Sequence, residues 1–215
     1  MRQNVGLVMF GALALGAATA LAAPAPSSEP DLTEPYTHRG GFSLGLGIGA
    51  VYGYSAGYPN DLNLIDVPGY RAKTAGFGSS LELWLGGAFT DWFTFAIGVG
   101  NVSLGGERMY SSTSAVLFRV EAFPLFGQGG LWKDLGLSAS FGTGGGFIHR
   151  RSDETEYSAA GSPSVVGFGA FWEPLHLSSP HLAAGPFFAW QYQSSLSYTS
   201  SFAALGLRAA FYGAP

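Results

Sequence analysis

Along most of this chain, large apolar residues recur at every second position and the residues between them are small. From Phe42 to Tyr54 (FSLGLGIGAVYGY), Phe42, Leu44, Leu46, Ile48, Ala50, Tyr52 and Tyr54 share one phase, whereas Ser43, Gly45, Gly47, Gly49 and Gly53 share the other. Successive side chains on a strand point to opposite faces, so the segment predicts a strand with one greasy face and one nearly bare. A half-buried strand of a water-soluble sheet carries charged or long polar residues on its second face. None stands here, and the pattern predicts a closed sheet with its apolar side toward lipid and its small side toward a narrow interior.

The same alternation predicts strands at 42–54, 74–86, 93–100, 114–123, 135–144, 164–173, 182–193 and 198–212. Outward positions include Phe77, Leu81 and Leu83 in the second, Val116 and Phe118 in the fourth, and Leu205 and Leu207 in the eighth. Single-chain bacterial barrels have even strand numbers starting at eight, so the count matches an all-β, eight-stranded, antiparallel up-and-down transmembrane β-barrel. Pro163 and Pro186 lack an N–H and weaken pairing locally. The connections after the first, third and fifth strands (55–73, 101–113 and 147–162) read as long polar loops. Those after the second, fourth and sixth read as compact turns bearing Trp92, Trp132 and the neighbouring Trp172. This places the turns and both chain ends on the periplasmic side, with Tyr52, Tyr54, Trp190, Tyr192 and Tyr198 as the outer aromatic girdle.

Composition agrees. Of 215 residues 33 are Gly, and only 11% are charged, against about 25% in soluble domains. Mean hydropathy is only +0.21, and beyond the N-terminus no apolar run reaches the 18 or more residues of a membrane helix. Residues 1–22 read as a secretory signal peptide: Arg2, an apolar run from Val5, and an Ala20-Leu21-Ala22 cleavage site before Ala23. The Pro- and Ser-rich stretch 23–40 reads as a disordered leader, 41–212 as the barrel and 213–215 as a short tail. Without cysteine there is no disulfide, thiolate metal site, thiol nucleophile or lipoprotein anchor. The net charge of −4 gives no electrostatic reason to bind nucleic acid.

Laid out this way, residues 41–212 resemble the small outer-membrane barrels of Gram-negative bacteria, of the OmpA transmembrane-domain and OmpX type. The resemblance rests on the alternation, the rim aromatics and the loop asymmetry. Members of that group usually end on an aromatic after alternating apolar positions; Leu205, Leu207, Ala209 and Phe211 keep the alternation, and Tyr212-Gly213-Ala214-Pro215 follow. The resemblance implies residence in the cell outer membrane after export and contact with outer-membrane lipid and lipopolysaccharide.

Charges on the strands are few. Glu82, Arg119, Glu121 and Arg208 fall on the non-lipid phase near the periplasmic ends of their strands, as they must when an arginine facing lipid costs about 2–4 kcal/mol. They are expected to form a lumenal ion-pair plug; a gated ion path or ligand floor is the alternative. Inward glycines, among them Gly45, Gly47, Gly49, Gly78, Gly142 and Gly206, open two readings, the curvature of a tight barrel or a lumen roomy enough for a small channel or hydrophobic-ligand carrier. The GLGIGA string lacks the following helix of a dinucleotide site. His149 and Ser152, three apart, do not share a strand face as a lipid A deacylase would require, and the histidines show no metal-ligand spacing. Tyr58, Asp61, Tyr70, Arg71, Arg150 and Arg151 are the candidate loop contacts, the arginines suiting lipopolysaccharide phosphates. The expected role is therefore structural or surface-interacting, with no enzymatic activity, cofactor or metal and an unidentified surface partner.

Overall fold

The computed structural model describes residues 39, 41–59, 61–128, 130–152, 156–160, 162–176 and 181–213. The expected signal peptide, all of the leader but Arg39, and the last two residues of the tail lie outside that set. Ten strands follow in order: β1 (Gly41–Gly57), β2 (Ala72–Thr90), β3 (Phe93–Gly105), β4 (Met109–Ala122), β5 (Leu135–Arg150), β6 (Glu156–Ala160), β7 (Ser164–Trp172), β8 (Leu175–His176), β9 (Leu182–Ser194) and β10 (Tyr198–Tyr212). All pairings are antiparallel, and β10 returns to pair with β1, so the sheet closes on itself, while β6 pairs with β5 alone and β8 with β9 alone. The pieces β6, β7 and β8 form one stave: β6 and β7 pair with successive stretches of β5, and β7 and β8 with successive stretches of β9. The barrel therefore has eight staves. Pro163 sits at the break between β6 and β7, its carbonyl accepting bonds from Gly144 N at 3.1 Å and Thr143 Oγ1 at 3.3 Å. Pro186 instead stays within β9, opposite Leu207.

The registers fix the tilt. From Ala50, the row of partners passes through Ser79, Ser103 and Ser112 to Phe147 on β5. Followed the other way it passes Leu205, Phe188 and Ala170 and reaches β5 at Leu137, ten residues from Phe147. Such a stagger belongs to strands inclined at roughly 35–45° to the barrel axis.

The expected facing holds on every stave. Leu44, Ile48, Phe77, Leu83, Ile97, Val116, Phe141, Phe168, Phe188 and Leu207 are exposed on the outside. Inside, Trp84, Phe123, Phe171 and Tyr212 fill the end near the chain termini, and Val51, Val102, Leu104 and Phe202 fill the middle. Ile148, Ala72 and Tyr198 close the far end. Tyr198 is thus not a girdle residue: it is 2% exposed and shares the inward phase of Phe202 and Ala204.

The expected long loops are shorter than their polarity implied. β3 and β4 run on to Gly105 and back from Met109, leaving a connection of residues 106–108, and β5 continues to Arg150. Among the described residues, 58–71 is the long connection at that mouth, and at the other 123–134 holds two 3-10 turns. Apolar alternation marks where a strand touches lipid. Pairing continues beyond it, where the outward row turns to Asn101, Ser103, Ser112 and Ser114.

Candidate functional site

The four charges singled out on the strands meet inside the barrel. Arg119 on β4 pairs with Glu82 on β2 at 2.5 Å and, through Nε, with Glu121 at 2.7 Å. Arg208 on β10 reaches across the lumen to Glu121, with Nη1–Oε1 at 2.8 Å and Nη2–Oε2 at 3.2 Å. Both guanidinium carbons lie within 5 Å of the Trp84 ring centroid, at 4.8 and 4.7 Å, and Arg208 also covers Phe171 at 3.7 Å. Glu121 thereby holds two cations that would otherwise repel, with its second oxygen accepting from Thr94 Oγ1 at 3.3 Å. Ionic hydrogen bonds of this kind, out of water, are stronger than neutral ones and costly to break singly.

Two further groups complete the floor. Glu173, just after β7, lies 2.9 Å from Arg208 Nε and accepts from the Tyr212 hydroxyl at 2.9 Å. It shares the inward phase of its strand, and that parity was the available signal. Arg39 is the other. Assigned to the leader by composition, it is instead 0% exposed, pairing with Asp134 at 2.5 Å. Its backbone N–H donates to Asp91 Oδ1 at 2.9 Å, and its guanidinium sits 3.7 Å from the Phe123 ring centroid. His176 Nε2 stands 3.3 Å from the other Asp134 oxygen. No alternation surrounds Arg39, so nothing on its own segment marked it as lumenal.

The inward glycines are not bare wall. A Cβ on Gly45 would overlap the Trp84 indole, one on Gly136 the Phe171 ring, and one on Gly49 would lie 3.2 Å from Phe187. Gly45 and Gly136 are notches that receive aromatic rings from neighbouring staves, whereas a Cβ on Gly78, Gly142 or Gly206 would meet a backbone carbonyl of the adjacent strand.

The candidate loop contacts divide between two places at the far mouth. Tyr58 is fixed by N–H donation to Ser197 O at 2.7 Å and by accepting from Ser158 Oγ at 2.7 Å, with Arg71 5.9 Å from its ring centroid. Asp61 caps a turn by accepting from Asn63 N at 2.9 Å, and the exposed Tyr70 closes the same loop by donating its N–H to Val67 O at 3.3 Å. Arg150 ends β5 opposite Met109, and Arg151 donates from Nε to Gly106 O at 3.0 Å. His149 stacks on Tyr110 at 5.2 Å while Ser152 lies in the exposed turn beyond it. Among the described residues no group of three His, Asp or Glu could hold a metal.

Trp92 and Trp132 stand exposed around the mouth near the termini, and Tyr52, Tyr54 and Trp190 around the other. A closed eight-stave barrel with an apolar outside between two aromatic rims is now complete. This is the architecture of the small eight-stranded outer-membrane β-barrels. No family model matches the chain, and no curated protein matches it in sequence. Among solved structures it is similar to the neisserial surface protein A, at 7% identity and TM-score 0.48, covering 80% of this chain and 97% of that one. Ail, the attachment invasion locus protein of Yersinia pestis, in complex with the heparin analogue sucrose octasulfate, is similar at 13% identity and TM-score 0.47, covering 80% and 99%. The outer membrane protease OmpT from Escherichia coli is similar at 6% identity and TM-score 0.41, covering 83% and 99%. A fold does not fix a function, which has to be argued from the site.

Proposed function

We propose that this chain is an outer-membrane barrel whose lumen is sealed and whose work is done at its outer surface, as a scaffold or surface-interaction protein without enzymatic activity. The observation that carries the reading is the filled interior. A floor of ion pairs and aromatic rings at one end, an apolar middle and the Tyr198–Ile148 layer at the other leave the outer mouth as the accessible surface. The export signal expected of residues 1–22 and the closure of the sheet, β10 onto β1, support residence in the outer membrane, because a closed barrel pairs its strands within itself and so can lie in lipid. Both described ends, Arg39 and Gly213, lie at the mouth of the ion-pair floor, where Gly213 N donates to Phe42 O at 2.6 Å. A chain with an N-terminal leader would leave that end in the periplasm.

The opposite mouth carries the recognition surface. The connection 58–71 folds on itself through bonds from Leu64 N to Asp61 O at 3.0 Å and from Val67 N to Leu64 O at 3.3 Å, and so presents Leu62 and Tyr70 in defined positions. Arg71, Lys73, Arg108, Arg150 and Arg151 are all exposed around it. Such a mixture of apolar anchors and cations suits an anionic cell surface or lipopolysaccharide. The test replaces 58–71 by a tight turn in the full chain. The variant should fractionate with outer membrane and keep its β-sheet signal, while cells displaying it lose adherence to a partner surface; a variant that no longer folds would show the loop to be structural. The small-channel or hydrophobic-carrier reading is addressed by conductance below.

A further inference from the structure

We infer that, whatever the outer mouth binds, Arg39 is a clasp: folded back beneath the floor at Gly41, it holds the β1–β10 seam shut and sets how fast the barrel opens. β1 and β10 are the first and last strands of the chain, whereas every other pair of neighbouring staves is consecutive along it. A connection ties each consecutive pair at one mouth. The seam has no such tie, and pairing Ser43 with Tyr212 closes the longest loop in the sheet. Loop closure costs entropy that grows with loop length, so the seam is where the sheet is least held by its own chain.

Arg39 supplies the tie at the mouth of the ion-pair floor. The last register pair of the seam there is Ser43 with Tyr212, and Gly213 N donates to Phe42 O at 2.6 Å just beyond it. At Gly41 the backbone takes φ 85°, a left-handed value that glycine adopts without the penalty of a Cβ. Before that bend lies Arg39, whose N–H donates to Asp91 Oδ1 at 2.9 Å and whose Nη1 donates to Asp91 O at 3.3 Å, on the β2–β3 turn. Its Nη2 pairs with Asp134, at the end of the β4–β5 connection. The guanidinium carbon stands 3.7, 5.7 and 5.6 Å from the ring centroids of Phe123, Phe126 and Tyr212. A residue preceding β1 thus reaches the last residue of β10, as a connecting turn would.

These contacts form a circuit that needs a paired β10. Asp134 O accepts from Glu173 N at 3.1 Å, Glu173 Oε2 accepts from the Tyr212 hydroxyl at 2.9 Å, and the Tyr212 ring borders Arg39. His176 Nε2 stands 3.3 Å from Asp134 Oδ2, on the carboxylate oxygen that Arg39 leaves open. Tyr212 itself is placed by β10, through its register with Ser43 and through its N–H, which donates to His181 O at 2.7 Å. Arg39 therefore gains its full set of partners only once the seam has closed. Interactions made after the folding transition state slow unfolding and leave the folding rate nearly unchanged.

The test is the folding and unfolding kinetics of the full chain in lipid vesicles, with the seam free and with it cross-linked. Leu44→Cys with Phe211→Cys places a disulfide between register partners near the end of the seam, in a chain that has no cysteine of its own. With the seam free, Arg39→Ala should unfold about a hundredfold or more faster than wild type, and Gly41→Ala about tenfold faster through strain at the bend. Both should refold within about threefold of wild type. With the disulfide formed, opening has to start elsewhere while Arg39 is still seated, so each acceleration should shrink by about tenfold or, where smaller, vanish; reduction should restore it. Where Arg39→Ala does not fold alone, the disulfide should restore folding. An acceleration that persists undiminished in the oxidised chain, refolding slowed as much as unfolding is sped, or an Arg39→Ala chain that the disulfide does not rescue would overturn the clasp.

Discussion

The Trp84 indole occupies the space that a side chain at Gly45, on the adjacent stave, would need. The two residues face each other across the β1–β2 pairing, where Gly45 is the register partner of Trp84. One stave gives up its side chain so that the other can send a ring into the lumen, and on that ring the two buried arginines rest.

Gly45→Ala should therefore destabilise the barrel by about 1–3 kcal/mol, the range of core overpacking. Gly47→Ser should be mild, because a Cβ there meets Phe187 and Trp84 at 3.6 and 3.7 Å, ordinary contact distances. Urea unfolding in lipid vesicles measures both. Equal losses would mean that Trp84 does not occupy the notch.

Arg208→Ala removes a cation shared by Glu121 and Glu173 and should cost about 3–5 kcal/mol, the penalty for leaving a buried charge without its partner. Adding Glu173→Gln should recover part of that loss, since the second substitution removes one of the stranded carboxylates. Strict additivity of the two in equilibrium unfolding would separate the residues energetically and contradict the 2.9 Å contact.

On the outside, Ile48→Arg should cost about 2–4 kcal/mol in bilayers, as a charge on the lipid face near mid-depth does. Ile48 is 53% exposed, yet the surface it meets is hydrocarbon. The penalty should largely vanish when folding is measured in short-chain detergent micelles that admit water. A loss independent of the surrounding amphiphile would argue that position 48 faces protein.

These facings were legible in the sequence because parity is a local property: Ile48 and Gly47 differ by one step, and a strand sends them to opposite sides. The charge cluster was legible for the same reason, with lipid leaving Arg119 and Arg208 nowhere else to point. Where residue type outweighed phase, the reading failed. Tyr198 looks like a rim aromatic but stands an even number of steps from the inward Phe202. Residues 101–113 look like a loop because Asn101, Ser103, Ser112 and Ser114 are polar, although the strands continue as a paired hairpin above the lipid. The meeting of Trp84 with Gly45 was beyond reach, since it depends on the register between staves and on how far a ring extends across the lumen.

Arg39 was equally hidden, and its contribution is testable. Arg39→Ala strips Asp134 of its guanidinium and leaves the Phe123 ring uncovered. Thermal unfolding should shift downward by an amount corresponding to about 3–5 kcal/mol if the pair is as dry as its burial implies. Proteolytic trimming of the purified protein before residue 39 should have no such effect. A variant as stable as wild type would return Arg39 to the leader.

The most direct test of the sealed lumen is the conductance of the full-length refolded protein in a planar bilayer. Wild type should show no steady channel current, and Arg208→Ala and Arg39→Ala, where they fold, should admit ions through the opened floor. A large, stable wild-type conductance that neither substitution changes would contradict the account and return the lumen to the channel reading.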